Sequence, residues 1–172
     1  KCVPNLTLYN KNNTILSYNI EAIQKTADLI NKGNLVAIKG IGGFHLICDA
    51  KNSKIIEELR VRKNRATKPF AVMFKDINSV KEYCEISQKE EEVLTSLNKP
   101  IILVKKKKES DLSQLLAPNI KHLGCFIAYT PLHHLLFRYL NNPIVATSAN
   151  LKDEPIITTK DEIVEKLSGV VD

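Results

Sequence analysis

The chain has 172 residues, with 25 Lys and Arg against 19 Asp and Glu, and is 44% hydrophobic and 26% charged. That length and mix suit one globular domain, and the net charge of +6 points to anionic ligands. No apolar run reaches the ~18 residues a membrane helix needs and no signal peptide opens the chain, so a helical membrane protein is excluded and a cytoplasmic location is expected.

The chain opens on Lys1 rather than methionine and stops at Asp172, as expected of a piece of a longer protein. Cys2, Cys48, Cys84 and Cys125 are widely spaced and form no C-x-x-C pair, so no zinc site can be completed within them. Cys48 and Cys125 sit in apolar runs and are expected in the core, which fits a reducing compartment.

Residues 1–18 read as an N-terminal extended arm, and residues 19–172 as one domain. Asn19 is placed to cap a helix carrying Ile20, Ile23, Ala27 and Ile30, with Gly33 ending it. Leu35 to Ile38 reads as a buried strand, and Gly40-Ile41-Gly42-Gly43 turns the chain into a second strand from Phe44 to Cys48. A helix over Ser53 to Arg62 follows, then a strand from Phe70 to Phe74 and two helices. The second of these opens on the capping box Ser87-Gln88-Lys89-Glu90. Strands are expected at Ile101 to Val104 and Leu123 to Ile127. Thr130-Pro131 marks a helix start, and that helix is expected to run through Tyr139. A strand from Ile144 to Ala146 leads into Thr147-Ser148-Ala149-Asn150, and Thr159 with Glu162 starts a last helix. Alternating strands and helices predict an α/β fold, a twisted mixed sheet covered by helices.

Three loops carry candidate chemistry. In Lys39-Gly40-Ile41-Gly42-Gly43-Phe44-His45, glycines admit close backbone approach and Lys39 adds charge. The pattern matches neither phosphate-loop fingerprint, so a tight turn and a ligand loop both stay open. Arg60, Arg62, Lys63, Arg65 and Lys68 place five cations within nine positions. That density exceeds what a helix C-terminus calls for and points to phosphate. Lys105 to Lys108 reads instead as a solvated turn. Thr147, Ser148 and Asn150 follow an apolar strand, where hydroxyl and amide groups can hold phosphate or ribose at a sheet edge, although such residues also favour plain turns. His133 and His134 are adjacent on a helix and cannot form an i, i+4 metal pair.

Taken together, Ile38-Lys39-Gly40-Ile41-Gly42-Gly43-Phe44-His45-Leu46, Leu59-Arg60-Val61-Arg62-Lys63-Asn64-Arg65 and Lys68-Pro69-Phe70-Ala71-Val72-Met73 resemble the hydrogenase-maturation carbamoyltransferases called HypF. So do Tyr129-Thr130-Pro131-Leu132-His133-His134 and Thr147-Ser148-Ala149-Asn150 with Glu154-Pro155-Ile156. The resemblance runs from about Ile20 to Asp172 and is to the YrdC-like domain of that family, which implies a YrdC-like sheet with a basic concave ligand face. The wider pattern K-x-R plus S-x-N falls on Lys63 and Arg65 and on Ser148 and Asn150.

What the resemblance implies is formation of carbamoyl-adenylate from ATP, with Mg²⁺, and carbamate derived from carbamoyl phosphate. Lys39, Lys63 and Arg65 would be catalytic, Lys68, Thr147, Ser148 and Asn150 would bind nucleotide and phosphate, and His45 would touch substrate. Acylphosphatase and zinc-finger modules would precede the domain, with Cys2 as a final zinc ligand. A carbamoyl-transfer domain would follow it, and a maturation protein with an acceptor cysteine would be the partner. Threonylcarbamoyl-adenylate synthesis for tRNA modification is the alternative chemistry. Those enzymes carry a proline-threonine-glutamate stretch where this chain has Lys39-Gly40-Ile41, and tend to have an arginine near Phe126. A double-stranded-RNA-binding module is the competing class, compatible with the charge but short of aromatics at 6%.

Overall fold

The computed structural model describes residues 5–150, 154–167, 169 and 171. Two antiparallel strands, β1 (Thr7–Tyr9) and β2 (Ile15–Tyr18), form a separate hairpin where the sequence reads as an arm. Helix α1 (Asn19–Asn31) follows directly. Its N-cap is Tyr18, without a side-chain cap bond, so Asn19 is not the cap. The Asn19 side chain instead accepts from the Leu6 amide at 3.4 Å and ties the helix to the hairpin.

The remaining strands are β3 (Val36–Lys39), β4 (Phe44–Asp49), β5 (Val72–Phe74), β6 (Cys84–Glu85), β7 (Ile102–Lys106), β8 (His122–Ile127) and β9 (Ile144–Ser148). They form one seven-stranded sheet in the order β3-β4-β9-β5-β8-β7-β6. The β5–β8 pairing is parallel and the others are antiparallel, so the sheet is mixed as expected. Lys105 and Lys106 belong to β7, and Lys105 pairs with Glu85 across the strands at 2.7 Å; the solvated turn begins only after them.

Helices α2 (Ser53–Arg62), α3 (Ile77–Tyr83), α4 (Gln88–Thr95), α5 (Pro131–Leu136) and α6 (Lys160–Leu167) complete the chain, with a 3-10 turn at Gln114–Leu116. Their starts follow local chemistry. Asp76 and Ser87 each close a capping box, and Thr130 Oγ1 accepts from the His133 amide ahead of Pro131. Each such cap stabilises its helix by about 1 kcal/mol. Helix α5 ends at Leu136, short of the expected Tyr139, and tight turns carry the chain on.

Period-2 alternation sends side chains to the two faces of the sheet. One core gathers Leu46, Cys48, Ile56, Leu59, Phe70, Phe74, Cys125 and Val145 beneath α2, α4 and α6. The other gathers Ile23, Ile30, Ile38, Ile47, Phe126, Leu136 and Ile144 beneath α1 and α5. Burying each such side chain is worth about 1.5–3 kcal/mol. Cys48, Cys84 and Cys125 are buried free thiols; burial pushes the Cys48 thiol far up, and the Cys84 contact together with burial does the same for Cys125. The second face is left uncovered toward β7, where Ile101 and Leu103 are exposed.

Candidate active site

The β4–β9 pairing places His45 opposite Ser148 and Leu46 opposite Thr147. It therefore joins the glycine-run loop to the loop after β9 at one end of the sheet. The chain leaving α2 comes to the same end. Asn64 turns it at φ 47°, a left-handed conformation that asparagine tolerates.

Lys63 then reaches 85 and 87 residues along the chain. Its Nζ donates to Ser148 O at 2.6 Å, Asn150 O at 3.0 Å and Asn150 Oδ1 at 3.3 Å. Burial, and secondarily Arg65, lowers its amine to about 8. Ser148 Oγ donates to Asn150 Oδ1 at 2.7 Å, and Asn150 Nδ2 donates to Glu154 O at 2.9 Å. The Asn150 amide is thus spent within the loop, and Lys63 clamps that loop in place.

Arg65 Nη1 lies 3.5 Å from Thr147 Oγ1, and the rest of its guanidinium donates to Lys68 O and Pro69 O at 3.2 and 2.5 Å. Burial and the nearby Arg60 hold it below the ordinary guanidinium range.

These groups surround a cavity of about 470 Å³ lined by His45, Arg65, Thr147, Ser148, Phe126 and Tyr129, with Asn98, Lys99 and Ile101 across from them. Four of the sequence-predicted residues therefore line one cavity, with Lys63 and Asn150 bonded to its Ser148 side. Lys68 is exposed and contributes its carbonyl to Arg60 and Arg65.

Lys39 stands apart from this cavity. The sequence places it beside the reacting group, but its ammonium donates to Thr158 O and lies 5.2 Å from the Phe44 ring. It lines a different cavity, of about 490 Å³, between the hairpin, α1 and α6. The physical reason is register. Lys39 pairs with Phe44, one residue out of phase with His45 and Ser148, and so leaves the opposite face of the sheet.

The glycine run resolves as a turn. Gly40 N donates to Gly43 O at 2.8 Å, and Gly43, at φ 152°, has Ile156 and Ile157 where a Cβ would stand. Two cations of the basic segment are likewise structural. Arg60 is buried and donates to Leu115 O, Arg65 O, Ala66 O, Lys68 O and Leu116 O at 2.8–3.4 Å. Arg62 pairs with Glu58 at 3.0 Å.

The expected zinc ligand Cys2 lies outside the described residues. Among those that are described, no group of three or more His, Cys, Asp or Glu side chains is placed to hold a metal ion. No helix among them is long and apolar enough to cross a membrane. Asn98 and Lys99 were not singled out in the sequence, because nothing in their neighbourhoods marks them apart from ordinary loop residues, and Tyr129 entered only as the first residue of a family motif, with no role attached.

The Sua5–YciO–YrdC family model, described as telomere recombination, matches residues 28–172. The carbamoyltransferase HypF of Synechocystis is 40% identical over 167 residues, 97% of this chain and 22% of that protein. A crystal structure of HypF from T. kodakarensis superposes with a TM-score of 0.93 at 41% identity, over 99% of this chain and 22% of the other. A full-length HypF in its phosphate- and nucleotide-bound form gives a TM-score of 0.85 at 43% identity, over 88% of this chain and 20% of the other. The chain thus spans about a fifth of the length of these relatives. With the mixed sheet, the paired Lys63–Arg65 and Ser148–Asn150 segments and these matches in agreement, the chain belongs to the Sua5–YciO–YrdC family, on the side of the YrdC-like domain of HypF.

Proposed function

We propose that this chain is the nucleotide-activating domain of a carbamoyltransferase and forms carbamoyl-adenylate from ATP and carbamate. The observation that carries the reading is the convergence of Lys63 and Arg65 on the Thr147–Asn150 loop around one cavity. Support comes from the similarity to proteins named carbamoyltransferase HypF, one of them solved with phosphate and nucleotide bound. The carbamate oxygen attacks the α-phosphorus of ATP, the bond to the β-phosphate oxygen breaks, and pyrophosphate leaves.

The charge spreading over the transferring phosphoryl group needs fixed donors, and Arg65 presents a fork suited to two phosphate oxygens. Thr147 supplies a hydroxyl beside it, Ser148 presents an oxygen whose own proton is held by Asn150, and Lys63 holds their loop while adding charge close behind. Lys39 and Lys68 contribute positive potential rather than contacts. Mg²⁺ enters on the ATP phosphates as part of the substrate.

In the whole protein, carbamate would come from carbamoyl phosphate hydrolysed by a preceding acylphosphatase domain, beside zinc-finger modules that include Cys2. A following domain would pass the carbamoyl group to a cysteine of a partner protein in nickel–iron hydrogenase maturation, in the cytoplasm.

The test is exchange of labelled pyrophosphate into ATP with ammonium carbamate as substrate. Exchange is expected without threonine, and Arg65→Ala should weaken ATP binding by about 1.5–3 kcal/mol, the range for a charge-assisted bond. Exchange that requires threonine would move the chain to threonylcarbamoyl-adenylate chemistry. Tight, salt-sensitive duplex-RNA binding with no ATP binding would make it an RNA module.

A further inference from the structure

His45 stands directly across from Ser148 in the β4–β9 ladder, so the two side chains leave the same face with Cβ atoms about 4.5–5.5 Å apart. Both line the cavity beside Arg65. Ser148 Oγ gives its proton to Asn150 Oδ1, and what it can offer a ligand is therefore its lone pairs. The His45 ring has no hydrogen-bond partner among the described residues. It is half-buried, and burial holds its imidazole below the ordinary value. A neutral imidazole presents one acceptor nitrogen and one donor.

Its seat is made by a missing side chain. A Cβ at Gly40 would lie 2.8 Å from His45 Nδ1 and 3.0 Å from Cε1. The first glycine of the run thus holds the ring where it is, a reason separate from the turn itself.

We propose that His45, seated against Gly40 and paired with Ser148, determines specificity by reading the NH₂ of a carbamoyl group. The two N–H bonds go to Ser148 Oγ and to the imidazole acceptor, while Arg65, next to them, faces the phosphate. Acyl groups with fewer donors at that position, such as bicarbonate with its single O–H or acetyl with its methyl, would leave one or both of these partly buried acceptors unpaired, which is how a site built for N–H rejects its look-alikes. This rests on the carbamoyl-adenylate reading and adds to it the residue that selects the substrate.

Two non-hydrolysable adenylates separate the claims: 5′-O-(N-carbamoylsulfamoyl)adenosine and its N-acetyl counterpart, which exchanges NH₂ for CH₃ in the same shape. Calorimetry on this chain is expected to show the carbamoyl compound binding about tenfold tighter, as one or two hydrogen bonds allow. His45→Leu should bring the ratio close to one. Gly40→Ala, which keeps both side chains but displaces the ring, should narrow it as well. Because the readout is a ratio, general loss of affinity cancels, and if one variant fails to fold the other carries the test. Equal binding of both compounds to the unaltered chain, or an undiminished ratio in the folded variants, overturns the role of His45 while leaving the nucleotide site standing. Failure of both compounds and of ATP to bind overturns the functional reading itself, and the His45 proposal with it.

Discussion

Lys63 carries two opposed demands. Three oxygens hold its ammonium, yet burial and the Arg65 charge lower it from the ordinary 10.5 to about 8. As pH rises through about 8 the charge and its hydrogen bonds weaken, so ATP affinity should fall between about pH 7 and 9. The Lys63→Arg variant, charged throughout, should lack that fall, and calorimetry across the range checks it. Stability should move the other way. The unfolded chain keeps the proton up to 10.5, so the stability contribution of Lys63 rises with pH between about 8 and 10.5. His133 shows the same linkage at lower pH. It is buried, its Nδ1 has no partner, and burial lowers it from 6.5 to about 4, with His45 and His134 adding to the effect. Its contribution is full above pH 6.5 and lost as pH falls toward about 4. Melting curves of His133→Phe should accordingly show a shallower acid slope than those of the unaltered chain.

At the scale of elements, the segment after α2 owes its shape to Arg60. The Arg60 and Arg65 guanidinium carbons each lie 4.8 Å from the Phe70 ring centroid, and Arg60 alone binds three carbonyls between residues 65 and 68. Arg60→Leu should cost at least ~2 kcal/mol, because hydrogen bonds from a charged donor are each worth about 1.5–3 kcal/mol. Hydrogen exchange at residues 65–68 should speed up with it; unchanged exchange would show that the loop holds without this strut. The sequence showed a crowd of cations here but not their division of labour. Capping at Ser87, Thr130 and Thr159 was legible, since a cap involves residues three apart. The span of α2, Ser53 to Arg62, was legible from Ile55, Ile56 and Leu59, and the structure adds what ends it: Asn52 caps its start and a left-handed Asn64 follows its end.

For the whole molecule, the site exists only because strands far apart in sequence are neighbours in the sheet. The Lys63–Asn150 clamp crosses 87 residues. A double-mutant cycle of Lys63→Ala and Asn150→Ala should give a coupling of about 0.5–3 kcal/mol in thermal unfolding from the Lys63–Asn150 Oδ1 bond, whereas additivity within ~0.5 kcal/mol would mean that the backbone carbonyls alone hold the ammonium. The same sheet order explains why β6 and the β1–β2 hairpin were missed. Cys84–Glu85 is two residues long and is a strand only by pairing with Lys105 and Lys106, and the hairpin lies in a run of asparagines that looks like loop.

The sequence by itself determined the α/β class, most strand and helix positions, the burial of Cys48 and Cys125, and the presence of a basic segment and a Thr-Ser-Ala-Asn loop. All of these rest on neighbours within a few positions, or on composition. Only the tertiary structure decided which cations face the cavity. Arg65 reaches it, Arg60 turns back to Leu115 across 55 residues, and Lys39 leaves the other face of the sheet for Thr158 across 119. Where a long side chain ends depends on strand register and on the carbonyls other segments leave unpaired, and neither is written within the few residues around it.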